Sequence, residues 1–188
     1  MSDKLVIDIE TKNTFADVGG QRFLTDLDVS LTGVYSYNRD EYSSFKDDEM
    51  EKLGELLKGA GLIIGFSINR FDIPILNKYL NFDLLKIKRF DILDEIEVGL
   101  GRRVGLDVLA RANLGIGKTS HGLEAIEFYK NGDWKSLADY CINDVKITKD
   151  LYELIKKRGH LSVPERETGN MLQVNFNIEE PVFYPTLF

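Results

Sequence analysis

The run Val6-Ile7-Asp8-Ile9-Glu10-Thr11 places two carboxylates inside an apolar, β-branched stretch near the start of the chain. A stretch of this kind reads as a buried strand. Side chains alternate along a strand, so Asp8 and Glu10 project from one face with their roots roughly 6–7 Å apart. Left bare, two such charges at ~5 Å repel by about 3 kcal/mol at an effective dielectric of ~20. A shared divalent cation removes that repulsion, and metal-assisted chemistry is what the spacing serves.

Two further constellations belong with this one. Gly65-Phe66-Ser67-Ile68-Asn69-Arg70-Phe71-Asp72-Ile73-Pro74 follows another buried strand, at the end where open α/β sheets bind ligands. Asp72 reads either as the N-cap of the helix it precedes or as a third ligand. Pro74 suits a first helical turn under both readings. Tyr140-Cys141-Ile142-Asn143-Asp144-Val145 sits in a long helical pattern whose seam, with 3-4-3-4-3 spacing, is Leu137, Tyr140, Asp144, Ile147, Leu151 and Leu154. A carboxylate in a core-facing stripe is costly unless compensated, so Asp144 marks either a buried salt bridge or a metal ligand. Tyr140 stands one turn earlier on the same face, within reach of whatever Asp144 binds. Carboxylate oxygens, where they do act as ligands, suit hard cations such as Mg²⁺ or Mn²⁺.

Taken in order, Asp-x-Glu on the first strand, Asn-x-Phe-Asp after a later strand and Tyr-x-x-x-Asp on a late helix, the pattern resembles the DEDD superfamily of 3′–5′ exonucleases. The tyrosine four residues before the last aspartate is similar to the DEDDy branch, which includes proofreading domains of DNA polymerases. The histidine branch would have His at position 139, which is Asp139. Leu106-Asp107-Val108-Leu109, Gly132-Asp133 and the stretch from Tyr140 to Tyr152 resemble family-B-polymerase-like exonuclease domains. The resemblance covers about residues 4–158.

It implies a ribonuclease H-like α/β fold: a five-stranded mixed sheet in the order 3-2-1-4-5, strand 2 antiparallel, flanked by helices. It also implies catalytic roles for Asp8, Glu10, Asp72, Tyr140 and Asp144, with the four carboxylates as ligands of two Mg²⁺ or Mn²⁺ ions. The expected activity is removal of nucleotides from single-stranded DNA ends, in a proofreading or repair role beside a polymerase or repair partner. An exoribonuclease on the same fold and a non-catalytic nucleic-acid-binding domain are the alternatives. The candidate substrate contacts are Thr11, Asn69, Phe71 and Lys118. Phe71 either stacks on a base or packs in the core, and Lys118 touches phosphate or nothing.

The elements that must position these residues alternate between strand and helix patterns. Strands are expected over residues 4–10, 29–37, 42–45, 62–66 and 86–93. Helices are expected near 49–59, 72–80, 105–113 and 122–129, with a long one over 133–158 closed by Gly159. Residues 1–161 form the expected exonuclease domain and 162–188 a C-terminal tail, folded as a peripheral hairpin around 171–178 or docked as an arm. Leu114-Gly115-Ile116-Gly117-Lys118-Thr119 ends like a phosphate-binding loop, but the first glycine of that motif would fall on Ala112. Asp91 and Asp94 read as strand-end or capping residues, or as extra ligands, and Trp134 as a packing residue.

At 188 residues and 43% hydrophobic, the chain suits one domain with a sizeable core. The net charge of −7 is unevenly spread: residues 86–118 carry seven basic and five acidic side chains, a local excess that offers phosphate contacts. The single cysteine cannot form an internal disulfide. No apolar run approaches the ~18 residues of a membrane span. The opening Met1-Ser2-Asp3-Lys4 runs into the strand without a secretory h-region, so a soluble, cytoplasmic protein is expected.

Overall fold

The structure is a computed structural model that describes residues 2–116 and 122–178. β1 (Asp3–Thr11) is its centre. Leu5, Ile7 and Ile9 point to one side of the sheet and Val6 to the other, and all four are buried, as only an inner strand covered on both faces allows. β2 (Val29–Ser36) pairs antiparallel with β1, setting Asp8 opposite Gly33. β3 (Glu41–Lys46) pairs antiparallel with β2 at the edge. On the other flank, β4 (Ala60–Gly65) and β5 (Arg89–Asp91) run parallel to β1. The order is β3-β2-β1-β4-β5, the expected mixed sheet.

Helices cover both faces. α1 (Met50–Lys58) and α2 (Asp72–Leu76) close the side lined by Leu5, Ile7 and Ile9, burying Leu53, Leu57, Ile73 and Leu76 there. α4 (Leu106–Leu114) and α6 (Trp134–Arg158) close the opposite side with Leu109, Val145, Leu151, Tyr152 and Ile155. α5 (Gly122–Lys130) packs on α6, and Ala125, Leu137 and Cys141 make a small core with Leu31. Asp133 caps α6 by accepting the Ser136 N–H at 3.1 Å. Gly159 ends the helix in the left-handed region (φ 74°).

Three expectations change. The strand expected over 86–93 is only Arg89–Asp91, and Ile92–Leu100 is a helix, α3. Asp91 stops the strand and caps that helix, accepting the N–H groups of Leu93 (3.0 Å) and Asp94 (3.3 Å), while Ile92, Leu93 and Ile96 are buried at helical spacing. α2 is shorter than expected and passes into a 3₁₀ turn over Asn77–Tyr79. The buried stripe of α6 centres on Cys141, Val145, Thr148 and Tyr152, so Tyr140 and Asp144 stand at its half-buried margin, not inside it.

Beyond α6, β6 (His160–Pro164) and β7 (Met171–Asn175) form an antiparallel hairpin whose Leu161, Val163 and Val174 join the core. Asn113 on α4 grips it twice, donating to the Ser162 carbonyl and accepting the Ser162 N–H, both at 2.8 Å. Among the described residues no helix is long and apolar enough to cross a membrane. Lys118, the rest of the phosphate-loop-like stretch after Ile116, and the tail beyond Ile178 lie outside the described residues.

Candidate active site

Asp8 and Glu10 project from β1 toward α6, the same side on which Gly33 faces the helix. A Cβ on Gly33 would lie 2.9 Å from both Cys141 Sγ and Val145 Cγ2. Glycine at that position therefore lets α6 press onto the sheet directly opposite Asp8. The thiol of Cys141 comes to 3.7 Å from Asp8 Oδ2 and 3.5 Å from the Asp8 carbonyl. One ligand atom each from Asp8, Glu10 and Cys141 lies within 4.8 Å of the others.

Asp72 arrives from the opposite direction. The pairing of β1 with β4 ends at Val6 and Ile64, and past that point β1 has an open edge. Asp72, 3% exposed, fills it: its Oδ1 accepts the Ile9 N–H at 3.0 Å. It is the first residue of α2 and not its cap, which is Phe71. The turn before it is tight, since a Cβ on Gly65 would fall 2.0 Å from Ile68 Cγ2. Ser67 in that turn adopts φ 68°, uncommon for a residue other than glycine.

The electrostatics follow from this crowding. Asp8 holds its proton well above the usual carboxylate range, first because of burial and then because of the negative charges of Asp72, Glu10 and Asp144. Asp72 is pushed up to about 7 by burial, against the pull of its own N–H and that of Ile9. Tyr140 is raised by burial and then by Asp144, Glu10 and Asp8, so its hydroxyl stays protonated at neutral pH. The Cys141 thiol is raised for the same reasons, burial first and Asp8 next. Carboxylates that resist joint ionisation, with oxygen donors converging, fit hard divalent cations by donor chemistry.

Asp8, Glu10, Asp72, Tyr140 and Asp144 thus come together, although they are spread over 137 positions of the chain. The proposed substrate contacts are less uniform. The Thr11 hydroxyl donates to the Asn13 carbonyl at 2.9 Å. The Asn69 amide donates to Asp94 at 2.9 Å and accepts from Arg89 Nε at 2.7 Å, so it braces the turn. Phe71 is half-buried and meets Phe15 edge to face, with ring centroids 6.0 Å apart. Sequence reasoning missed Gly33 and the thiol of Cys141. The thiol's nearness to Asp8 was legible only as its position beside Tyr140 on the helix.

A sheet of this order with converging acidic residues defines a class. The family model of the RNase H superfamily matches residues 5–156, and the chain belongs to that superfamily. Among solved structures it is similar to the zinc-ion-bound form of an E. coli ExoI complex with single-stranded DNA, with a TM-score of 0.57 and 16% sequence identity. That match covers 84% of this chain and 41% of the other, so this chain spans about two-fifths of its length. At that identity the likeness is one of fold. No curated protein sequence matches the chain.

Proposed function

We propose that this protein is a divalent-metal-dependent 3′–5′ exonuclease of the DEDDy type, acting on single-stranded DNA ends. One observation carries the reading: a tyrosine and four carboxylates, drawn from β1, α2 and α6, share one electrostatic environment at the end of the central strand. The solved neighbour's complex with single-stranded DNA supports the substrate class.

Asp8, Glu10, Asp72 and Asp144 are the residues that would hold two Mg²⁺ or Mn²⁺ ions. When bound, such ions supply a nucleophilic water at neutral pH and neutralise charge on the departing 3′-oxygen. Tyr140 is a positioning group: its raised pKa makes it a poor base, and its hydroxyl orients the attacking water by hydrogen bonding. Phe71 stacks on or wedges against the terminal base, since an aromatic face accepts any base without reading sequence. The expected limit at residue 161 falls inside β6, so the β6–β7 hairpin, whose Val163 and Val174 join the core, is assigned to the catalytic domain and not to a separate arm. Proofreading or repair in trans, beside a cytoplasmic polymerase or repair partner, is the role we propose for it.

The test is digestion of 3′- and 5′-labelled single-stranded oligonucleotides with Mg²⁺ or Mn²⁺, with Asp8→Ala and Asp144→Ala alongside. Stepwise shortening from the 3′ end that both substitutions abolish is expected. Hydrolysis that survives both overturns the assignment, and a matched RNA strand reads the sugar preference.

A further inference from the structure

Asp72 is delivered by a turn that is itself held by a buried carboxylate outside the cluster. Ser67, in the left-handed region at φ 68°, sits in a conformation that a residue other than glycine keeps only where its surroundings enforce it. Asp91, 3% exposed at the end of β5, supplies the enforcement. Its Oδ1 accepts the Ser67 N–H at 2.8 Å, and its Oδ2 accepts the Asn69 N–H at 2.9 Å. The same Oδ1 accepts from Leu93 and Asp94 and so joins the turn to the N-terminus of α3. Arg103 Nη2 donates to Ser67 Oγ at 2.7 Å from the far side. Between the clamped Asn69 and Asp72, the chain is further tied by Phe71 N–H to the Ser67 carbonyl (3.1 Å) and Ile73 N–H to the Ile68 carbonyl (2.9 Å).

Resting on the nuclease reading of the carboxylate cluster, we propose that Asp91 is a positioning residue that fixes the β4–α2 turn and thereby sets where Asp72 enters the site. Both of its oxygens accept backbone N–H groups, from Ser67, Leu93 and Asp94 on one and Asn69 on the other. It acts through the backbone, not on substrate.

Asp91→Asn is a selective probe. Asparagine caps a helix about as well as aspartate, and its carbonyl oxygen still accepts from Ser67, Leu93 and Asp94. Its amide nitrogen cannot accept from Asn69, so only the link toward Asp72 breaks. The Ile9 N–H, bonded to Asp72 Oδ1, is the reporter, followed by amide hydrogen exchange in the metal-free protein. Ile9 should exchange at least about tenfold faster in Asp91→Asn, approaching its rate in Asp72→Ala, while Val6 and Ile64 stay unchanged. Arg103→Ala should give a smaller rise at the same amide. On a single-stranded oligonucleotide, Asp91→Asn should lower kcat and leave KM in place. An unchanged Ile9 rate, or a uniform rise across the sheet, overturns the proposal. If the wild-type protein hydrolyses nothing yet Ile9 responds as stated, the nuclease reading falls and the clamp stands.

Discussion

Asp8, Glu10, Tyr140 and Asp144 come from two long regular elements, β1 and α6, whereas Asp72 opens a helix of five residues behind a strained turn. The first group is placed by packing: Gly33 lets a buried helix lie close on the sheet. Asp72 is placed by a turn whose backbone is held by polar bonds, from Ile9, Asp91 and Arg103, around one buried apolar anchor, Ile68. Packing ties site geometry to global stability, because the same contacts supply both. Polar bracing of a turn allows geometry to fail while the fold survives.

The sharpest way to break this contrast is Gly65→Ala. Its new Cβ would meet Ile68 Cγ2 at 2.0 Å, and Ile68 is fully buried, so the turn must rearrange. A loss of about 3 kcal/mol is expected, at the upper end of overpacking costs, read as a lowered denaturant midpoint. Gly33→Ala comes next: contacts of 2.9 Å to a thiol and a methyl ask less of their neighbours, and about 1–2 kcal/mol is expected. Activity should fall together with stability there, and adding Cys141→Ala should restore part of both.

A pH series of the metal-free protein gives the third effect. Asp72 titrates near 7 in the folded chain, against roughly 3.9 when unfolded. Between those values the folded state binds the extra proton, so this contribution is full below the lower pKa and drains away as pH rises through the upper one. The unfolding free energy should decline by up to about 1.4 kcal/mol per pH unit from this group between pH 5 and 7, and Asp72→Asn should flatten the slope. Mn²⁺ affinity, measured by calorimetry, should climb over the same window as protons leave the ligands. Tyr140→Phe is the mildest: kcat about tenfold lower, or ~1.4 kcal/mol in the barrier, with an unchanged denaturant midpoint.

The packed half of the site was legible in the sequence because β1 and α6 announce themselves by period. An apolar run bearing Asp8 and Glu10, and a seam bearing Tyr140 and Asp144, fix which residues share a face. The seam lies to one side of the true centre: its Leu137, Ile147 and Leu151 are buried, but Tyr140 and Asp144 fall at the margin of a stripe that runs through Cys141 and Val145. The braced half was poorly legible. The apolar Ile92 and Leu93 extended the strand pattern past Asp91, which hid α3 and with it the clamp. The strand-end or capping reading of Asp91 holds, but without the helix it caps it could not point to the turn that the same carboxylate grips. Nothing local marks Gly33 as the place where a helix, over a hundred positions later, touches the sheet.

The hairpin fastened to the far end of α6 makes that helix a lever. Asp144 lies 15 residues, about 22 Å, from Gly159, where the chain turns into β6. A swing of only about 3° around that end would displace the Asp144 backbone by about 1 Å, comparable to the whole tolerance of an ion-holding cage. Asn113 and the buried Leu161 and Val163, which hold the hairpin, therefore steady the cluster's focus much as a tripod steadies a lens.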